Sequence, residues 1–307
     1  MKESKYATYS DQLYNAMKGA GTDENTLIKI ATSEPLKERL KIKEKYIMVY
    51  GRDLIDDLKS DLSGNFKEVM IALFTDKYEY DAKQLYKAIK GFGTDEDTLI
   101  EIIGTRPGWM LKKIKNVYKD LYNKDLEEDV KGDTSGDFQK LLITLLQCKR
   151  SDNKEVDKEK CIKICDELYN AGEKKLGTDE QVFNKYIGNC SPVELLTIAR
   201  EYHRKYNKPL MKVVDSEFSG NIKKLIKTVL YANICPSEYF ATRINESVEG
   251  FGTKEKILNR VIVTRNEIDL PIIKQYYKQL YEKDMVKEVG DDVSGSYKKL
   301  LIALLNK

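Results

Sequence analysis

The chain is poor in histidine and tryptophan. Its 307 residues include one histidine, His203, and one tryptophan, Trp109. A zinc cage of imidazoles is therefore excluded, and no nucleophile–base pair can be assembled from the sequence. His203 lies in the charged stretch "REYHRKY" and reads as a solvated or hydrogen-bonded surface histidine. Five cysteines, 148, 161, 165, 190 and 235, are an odd count with no C-x-x-C spacing. They read as buried free thiols, with Cys161 and Cys165 on one helix face, and so suggest a reducing compartment. Six prolines and eighteen glycines exclude collagen-like and proline-rich disordered chains. No apolar run approaches the roughly 18 residues of a membrane span, and "MKESKYATYSDQ" lacks the apolar core of a signal peptide. Neither sign of charge dominates: 34% of residues are charged, yet the formal net charge is +3. That balance argues against nucleic acid as a partner recognised by charge. The expectation is a cytosolic protein whose membrane contact is peripheral.

What is present is one unit written four times. Aligning Gly21, Gly93, Gly177 and Gly252 gives spacings of 72, 84 and 75. An apolar stripe repeats with the same offsets: Phe66, Val69, Met70, Leu73 and Phe74 first, then the stripes beginning at Phe138, Ile222 and Tyr297. Each stripe follows i, i+3, i+4, i+7, i+8, the pattern of an amphipathic helix, and no strand alternation competes. Five helices are expected per repeat; in the first they span about 11–18, 23–32, 36–49, 53–60 and 64–74. Thr22 or Asp23 can cap the second and Ser63 the fifth. Pro35, Pro107, Pro192 and Pro271 each fall near the start of a third helix, where proline is tolerated. The organisation expected is a tail over 1–9, repeats over 10–76 and 80–147, a polar linker over 148–157, and repeats over 158–232 and 237–307.

A carboxylate recurs 40 residues after each aligned glycine: Asp61, Asp133, Glu217 and Asp292, opening "DLSG", "DTSG", "EFSG" and "DVSG". A glycine loop between two helices is by itself only a helix stop and turn. Capping, however, has no use for an acid 40 residues away. Glycines allow a loop to turn its carbonyls inward, and two or three carbonyls with one bidentate carboxylate supply about five oxygens. Calcium takes roughly six to eight oxygens in loose geometry, whereas magnesium is stricter and keeps its waters. The pattern suits Ca2+ with one or two positions left for water or for an anionic ligand. Loop-tip residues Ala20, Phe92, Leu176 and Phe251 then have a use as membrane contacts, because an apolar tip beside such an ion can enter the headgroup boundary. Inward packing of Phe92 and Phe251 is the competing reading. The loops lack the spacing of nucleotide-binding glycine motifs and follow no strand, so a nucleotide enzyme is not expected.

The fourfold "KGxGTD"-like phrase with its distant "D/E-x-S-G" resembles the annexin family, from about residue 10 to the C-terminus. "MKGAGTDENTLI", "GRDLIDDLKSDLSGNF" and "GTDEDTLIEIIGTRP" carry the likeness. The resemblance implies an all-α fold, four repeats of five helices in a slightly curved disc with calcium loops on its convex face. It also implies a non-enzymatic protein that binds acidic phospholipid reversibly when calcium rises, on the inner face of membranes. Carried over residue by residue, the implied ligands are Met17, Gly19, Gly21 and Asp61; Ile89, Gly91, Gly93 and Asp133; Gly172, Lys175, Gly177 and Glu217; and Val248, Gly250, Gly252 and Asp292. Thr22 and Glu24 resemble a weaker accessory site. The third loop, "AGEKKLGTDE", is longer than the others. Departures are Glu249 where Lys18 and Lys90 stand, Lys254 where Asp23, Asp95 and Asp179 stand, and Glu34 and Cys190 where the family has the arginine kept at Arg106 and Arg265. The alternative function is a calcium-independent cytoskeletal or scaffold protein on the same helices; self-association on membranes is compatible with either.

Overall fold

A computed structural model describes residues 2–151, 154–250 and 252–307, and among them there are twenty α-helices and no strand. Repeat 1 comprises α1 (Lys2–Met17), α2 (Glu24–Ser33), α3 (Leu36–Tyr50), α4 (Leu54–Asp61) and α5 (Gly64–Leu73). Repeat 2 comprises α6 (Lys77–Ile89), α7 (Glu96–Thr105), α8 (Gly108–Tyr122), α9 (Leu126–Asp133) and α10 (Gly136–Leu146). Repeat 3 runs through α11 (Lys158–Ala171), α12 (Glu180–Asn189), α13 (Pro192–Tyr206), α14 (Leu210–Glu217) and α15 (Gly220–Ile234). Repeat 4 runs through α16 (Pro236–Val248), α17 (Glu255–Arg265), α18 (Leu270–Tyr281), α19 (Met285–Asp292) and α20 (Gly295–Leu305).

The second helix of each repeat starts where the sequence suggests. Asp23, Asp95 and Asp179 are N-caps whose side chains accept backbone N–H groups; Lys254 holds the same position and offers no cap. Pro35 and Pro107 precede their helices, and Pro192 and Pro271 lie in the first turn. Three expectations need correction. Residues 2–9 are not a tail but the first turns of α1, held by the Lys5–Glu34 pair at 2.7 Å and by Ser10 donating to the Ile42 carbonyl. Ser63 sits at an N-cap but makes no capping bond; the chain enters α5 through Gly64 at φ +58, and Gly136, Gly220 and Gly295 repeat that left-handed entry. The fifth helix of repeat 3 continues to Ile234 and α16 starts at Pro236, so only Cys235 separates them rather than the expected gap over 233–236. Asp152 and Asn153, in the expected linker, lie outside the described residues.

The helices form two compact units, Met1–Tyr80 with Phe240–Lys307, and Asp81–Tyr239. In the first, α2 packs on α20 and α17 on α5; in the second, α7 packs on α15 and α12 on α10. Each unit thus pairs two repeats through reciprocal contacts of second and fifth helices. The apolar stripes supply this core: Leu141, Leu142, Leu145 and Leu146, and their counterparts, are buried. Only the leading residues Phe138, Ile222 and Tyr297 stay half-exposed. The approach is close enough in the second unit to require glycine. A Cβ on Gly188 would lie 2.5 Å from Thr144 Cγ2, and one on Gly104 would lie 2.9 Å from Thr228 Cγ2.

None of the five cysteines is paired; Cys161, Cys165 and Cys190 are buried, while Cys148 and Cys235 are half-exposed rather than buried as expected. Burial pushes Cys165 and Cys190 up to about 12, so both remain thiols near neutral pH. His203 is exposed on α13.

Candidate calcium loops

Each loop between a first and second helix is shaped by its glycines and closed by one backbone bond. Gly19, Gly21, Gly91, Gly93, Gly177, Gly250 and Gly252 all take φ between +81 and +144, a region that side chains disfavour. The amide after the threonine then reaches back to the first helix: Asp23 N to Ala16 O, Asp95 N to Ala88 O, Asp179 N to Ala171 O and Lys254 N to Ser247 O, at 2.7–2.8 Å. This closure makes a small ring of exposed backbone that remains in place where Lys254 replaces the aspartate, because it uses main-chain atoms alone.

The distant carboxylate comes to the same loop in every repeat. Thr22 Oγ1 donates to Asp61 Oδ2 at 2.6 Å, Thr94 to Asp133 at 2.7 Å, Thr178 to Glu217 at 2.6 Å and Thr253 to Asp292 at 2.5 Å. All four acids are half-buried at the ends of fourth helices, and the loop glycines beside them are exposed, apart from Gly172. Met17 and Asp61 line one recess of about 150 Å³ with Lys18 and Arg52. In repeat 3, a Cβ on Gly172 would come 3.4 Å from Glu217 Cγ, so this buried residue packs on the acid. In the second unit Asp133 and Glu217 line a polar cavity of about 550 Å³, which Glu96 and Glu180 also line.

Among the described residues, no three His, Cys, Asp or Glu side chains converge on a point that could hold a metal. An ion here would have one carboxylate and take its other protein oxygens from the backbone. That donor set suits a hard cation with loose geometry, and calcium fits it better than zinc or magnesium. Thr22 and Glu24, the suggested accessory pair, turn to different partners: Thr22 to Asp61, and Glu24 to the hydroxyl of Ser296.

The loop tips differ in what they present. Phe92 and Leu176 are fully exposed, which sets aside inward packing for Phe92. Ala20 is exposed and contributes little apolar surface. Phe251 lies outside the described residues. From the sequence Thr22 reads as a helix cap or part of an accessory site, not as the link to Asp61; the fixed place of a threonine 39 residues before each acid is the signal for that link.

The annexin family profile matches residues 9–73, 80–145, 165–229 and 239–304. Annexin A13 of Mus musculus is 42% identical over 295 residues, spanning 96% of this chain and 93% of the relative. Annexin A7 of Homo sapiens is 39% identical over 295 residues, spanning 96% of this chain and 60% of the relative. Among solved structures, annexin III superposes with a TM-score of 0.96 at 36% identity, covering 98% of this chain and 94% of its own. Calcium-bound annexin (Sm)1 superposes with a TM-score of 0.88 at 32% identity, covering 98% and 90%. On these matches, and on a helical repeat present four times over, the chain belongs to the annexin family, which is known for calcium-dependent phospholipid binding.

Proposed function

We propose that this protein binds acidic phospholipid membranes reversibly when calcium rises, through four sites each built from one loop and one distant carboxylate. The observation that carries the reading is the threonine–carboxylate hydrogen bond, made in all four repeats, which brings together two segments about 40 residues apart. The protein oxygens would be the carbonyls of Met17, Gly19 and Gly21 with Asp61; of Ile89, Gly91 and Gly93 with Asp133; of Gly172, Lys175 and Gly177 with Glu217; and of Val248, Gly250 and Gly252 with Asp292. Bound calcium would supply a positive centre with positions open to phosphate oxygens of a headgroup. The chain's own residues do the rest. Exposed glycines keep the site open toward solvent, and Phe92 and Leu176, beside Gly91, Gly93 and Gly177 in the chain, offer exposed apolar surface.

Among the described residues no helix is long and apolar enough to cross a membrane, so attachment by this route is peripheral. Four weak sites on one chain act together, and their avidity exceeds the affinity of any one. Annexin family members are generally not enzymes, which agrees with a site built for holding rather than for reaction.

The test is co-sedimentation with phosphatidylserine vesicles across a calcium series. Binding should appear with calcium and reverse on chelation. Equal sedimentation with and without calcium would refute the reading.

A further inference from the structure

Tyr46, Tyr118, Tyr202 and Tyr277 stand at one register of the four third helices, and each is fully buried. A hydroxyl so placed needs an acceptor. Tyr46 and Tyr118 donate to Asp57 and Asp129 on the fourth helices, both at 2.7 Å. A cation completes each group: Arg52 meets Asp57 at 2.5 Å and Lys124 meets Asp129 at 3.6 Å. In repeat 3 the register of Asp57 and Asp129 holds Val213, which is buried and offers no acceptor. Tyr202 donates instead to Glu173 at 2.8 Å, and Lys208, at the register of Arg52 and Lys124, closes on the other oxygen of Glu173 at 2.5 Å. The carboxylate has moved from the fourth helix into the loop.

We propose that Glu173 is a positioning residue for the third calcium loop, tying it to α13 so that Gly172, Lys175 and Gly177 are arranged before calcium arrives. This rests on the loops being the calcium sites proposed above. The third loop runs over the eight residues 172–179, against six between the first and second helices of each other repeat, and has more freedom to lose. Glu173 directly follows Gly172, which packs on Glu217, so the tether acts beside the acid of the site. Among the described residues, repeats 1 and 2 show no such tie: Lys18 and Lys90 are exposed and lie over the rings of Tyr14 and Tyr86, 5.7 and 5.2 Å from their centroids. Repeat 4 reaches its loop through one more link, with Tyr277 donating to Asn245 at 3.2 Å and the Asn245 amide donating to Glu249 at 2.7 Å. A loop held in its binding-competent form binds more tightly than one that visits that form only part of the time.

The experiment is a calorimetric calcium titration of the full chain without lipid. Glu173→Ala should weaken one site about three- to tenfold and leave the others alone, and Glu173→Gln, which keeps an acceptor for Tyr202, should lose less. In a Glu217→Ala background the effect of Glu173→Ala should vanish, because the site it positions is gone. The alanine variant also strips Tyr202 of its acceptor and will lower the thermal midpoint. Glu173→Ala combined with Val213→Asp rebuilds the arrangement of repeats 1 and 2; it should recover the midpoint while site 3 stays weak. A wild-type isotherm for Glu173→Ala, or full recovery of calcium affinity in the Val213→Asp combination, would overturn the positioning role. Should Glu217→Ala itself leave the isotherm unchanged, the calcium assignment of repeat 3 fails, and the positioning role with it.

Discussion

One register joining first and second helices shows how four repeats solve the same contact with different chemistry. Repeat 2 buries the ion pair Asp81–Arg106, with bonds of 2.8 and 3.0 Å. Repeat 1 places Tyr9 and Glu34 there, hydrogen-bonded at 3.1 Å, and repeat 4 places Arg265 over the Phe240 ring at 4.5 Å. Repeat 3 has lost both charges, with Ile164 and Cys190 in the two positions, and both are buried. Losing the arginine and the acid together leaves no orphaned charge, which is the costly outcome. Asp81→Ala should therefore destabilise the chain by about 3–5 kcal/mol in urea unfolding, because it removes the buried carboxylate that faces the Arg106 guanidinium. Replacing both partners by the repeat 3 pair, Asp81→Ile with Arg106→Cys, should regain most of that. At Asp57, burial pushes the carboxyl up, yet the bonds from Arg52 and Tyr46 hold it below its ordinary 3.8. A lowered folded value means its contribution is complete above the ordinary value and fades as pH falls through the folded one. Asp57→Asn should accordingly flatten part of the acid limb of a stability–pH curve below about pH 4, and an unchanged limb would contradict the assignment.

At the scale of helices, the interfaces inside each unit explain what the apolar pattern did and did not reveal. Five helices per repeat were legible in the pattern, and in repeat 1, where bounds were expected, they agree within one residue except at the start of α1. The missed turns of α1 carry few core residues; "KESKYATY" is polar, and its helix is held by pairs such as Lys5–Glu34 that no periodicity announces. Arg39 was missed for a related reason. It is buried at the register of Leu111, Leu195 and Leu270, where its guanidinium donates to the Leu73 carbonyl and to Glu267. A charge at a leucine register was the signal, and comparing repeats position by position would have found it. Close packing left a similar trace. Gly104 and Gly188 face Thr228 and Thr144, while the same registers of the first unit hold Thr32 and Val263 on second helices, with Ala72 and Ala303 on fifth helices. Bulk has changed sides, keeping the sum filled. Gly188→Ala should cost about 1–3 kcal/mol in thermal unfolding, and Gly188→Ala with Thr144→Ala should cost less. Equal loss in both would argue against the contact.

For the molecule as a whole, the proposed calcium loops are the most legible feature because their parts are spaced alike in every copy. Four glycine phrases and four acids at a constant distance point to a shared construction before any contact is known. What spacing could not supply was the link between them, the threonine hydroxyl on the carboxylate, or the tether at Glu173, which arises only where Val213 removes the usual acceptor. Each unit holds two of the proposed sites, so damage to one per unit probes whether they act together. Asp133→Ala with Asp292→Ala should raise the calcium needed for half-maximal vesicle binding about tenfold. Phe92→Ser should weaken binding about two- to tenfold at fixed calcium, since a shallow apolar insertion is lost while the site itself remains.

The most direct measurement removes all four carboxylates at once. A chain carrying Asp61→Ala, Asp133→Ala, Glu217→Ala and Asp292→Ala, shown to be folded by its helical circular dichroism, is sedimented with phosphatidylserine vesicles across the calcium range in which wild type binds. The account predicts that it stays in the supernatant throughout. Vesicle binding at wild-type calcium levels would contradict it.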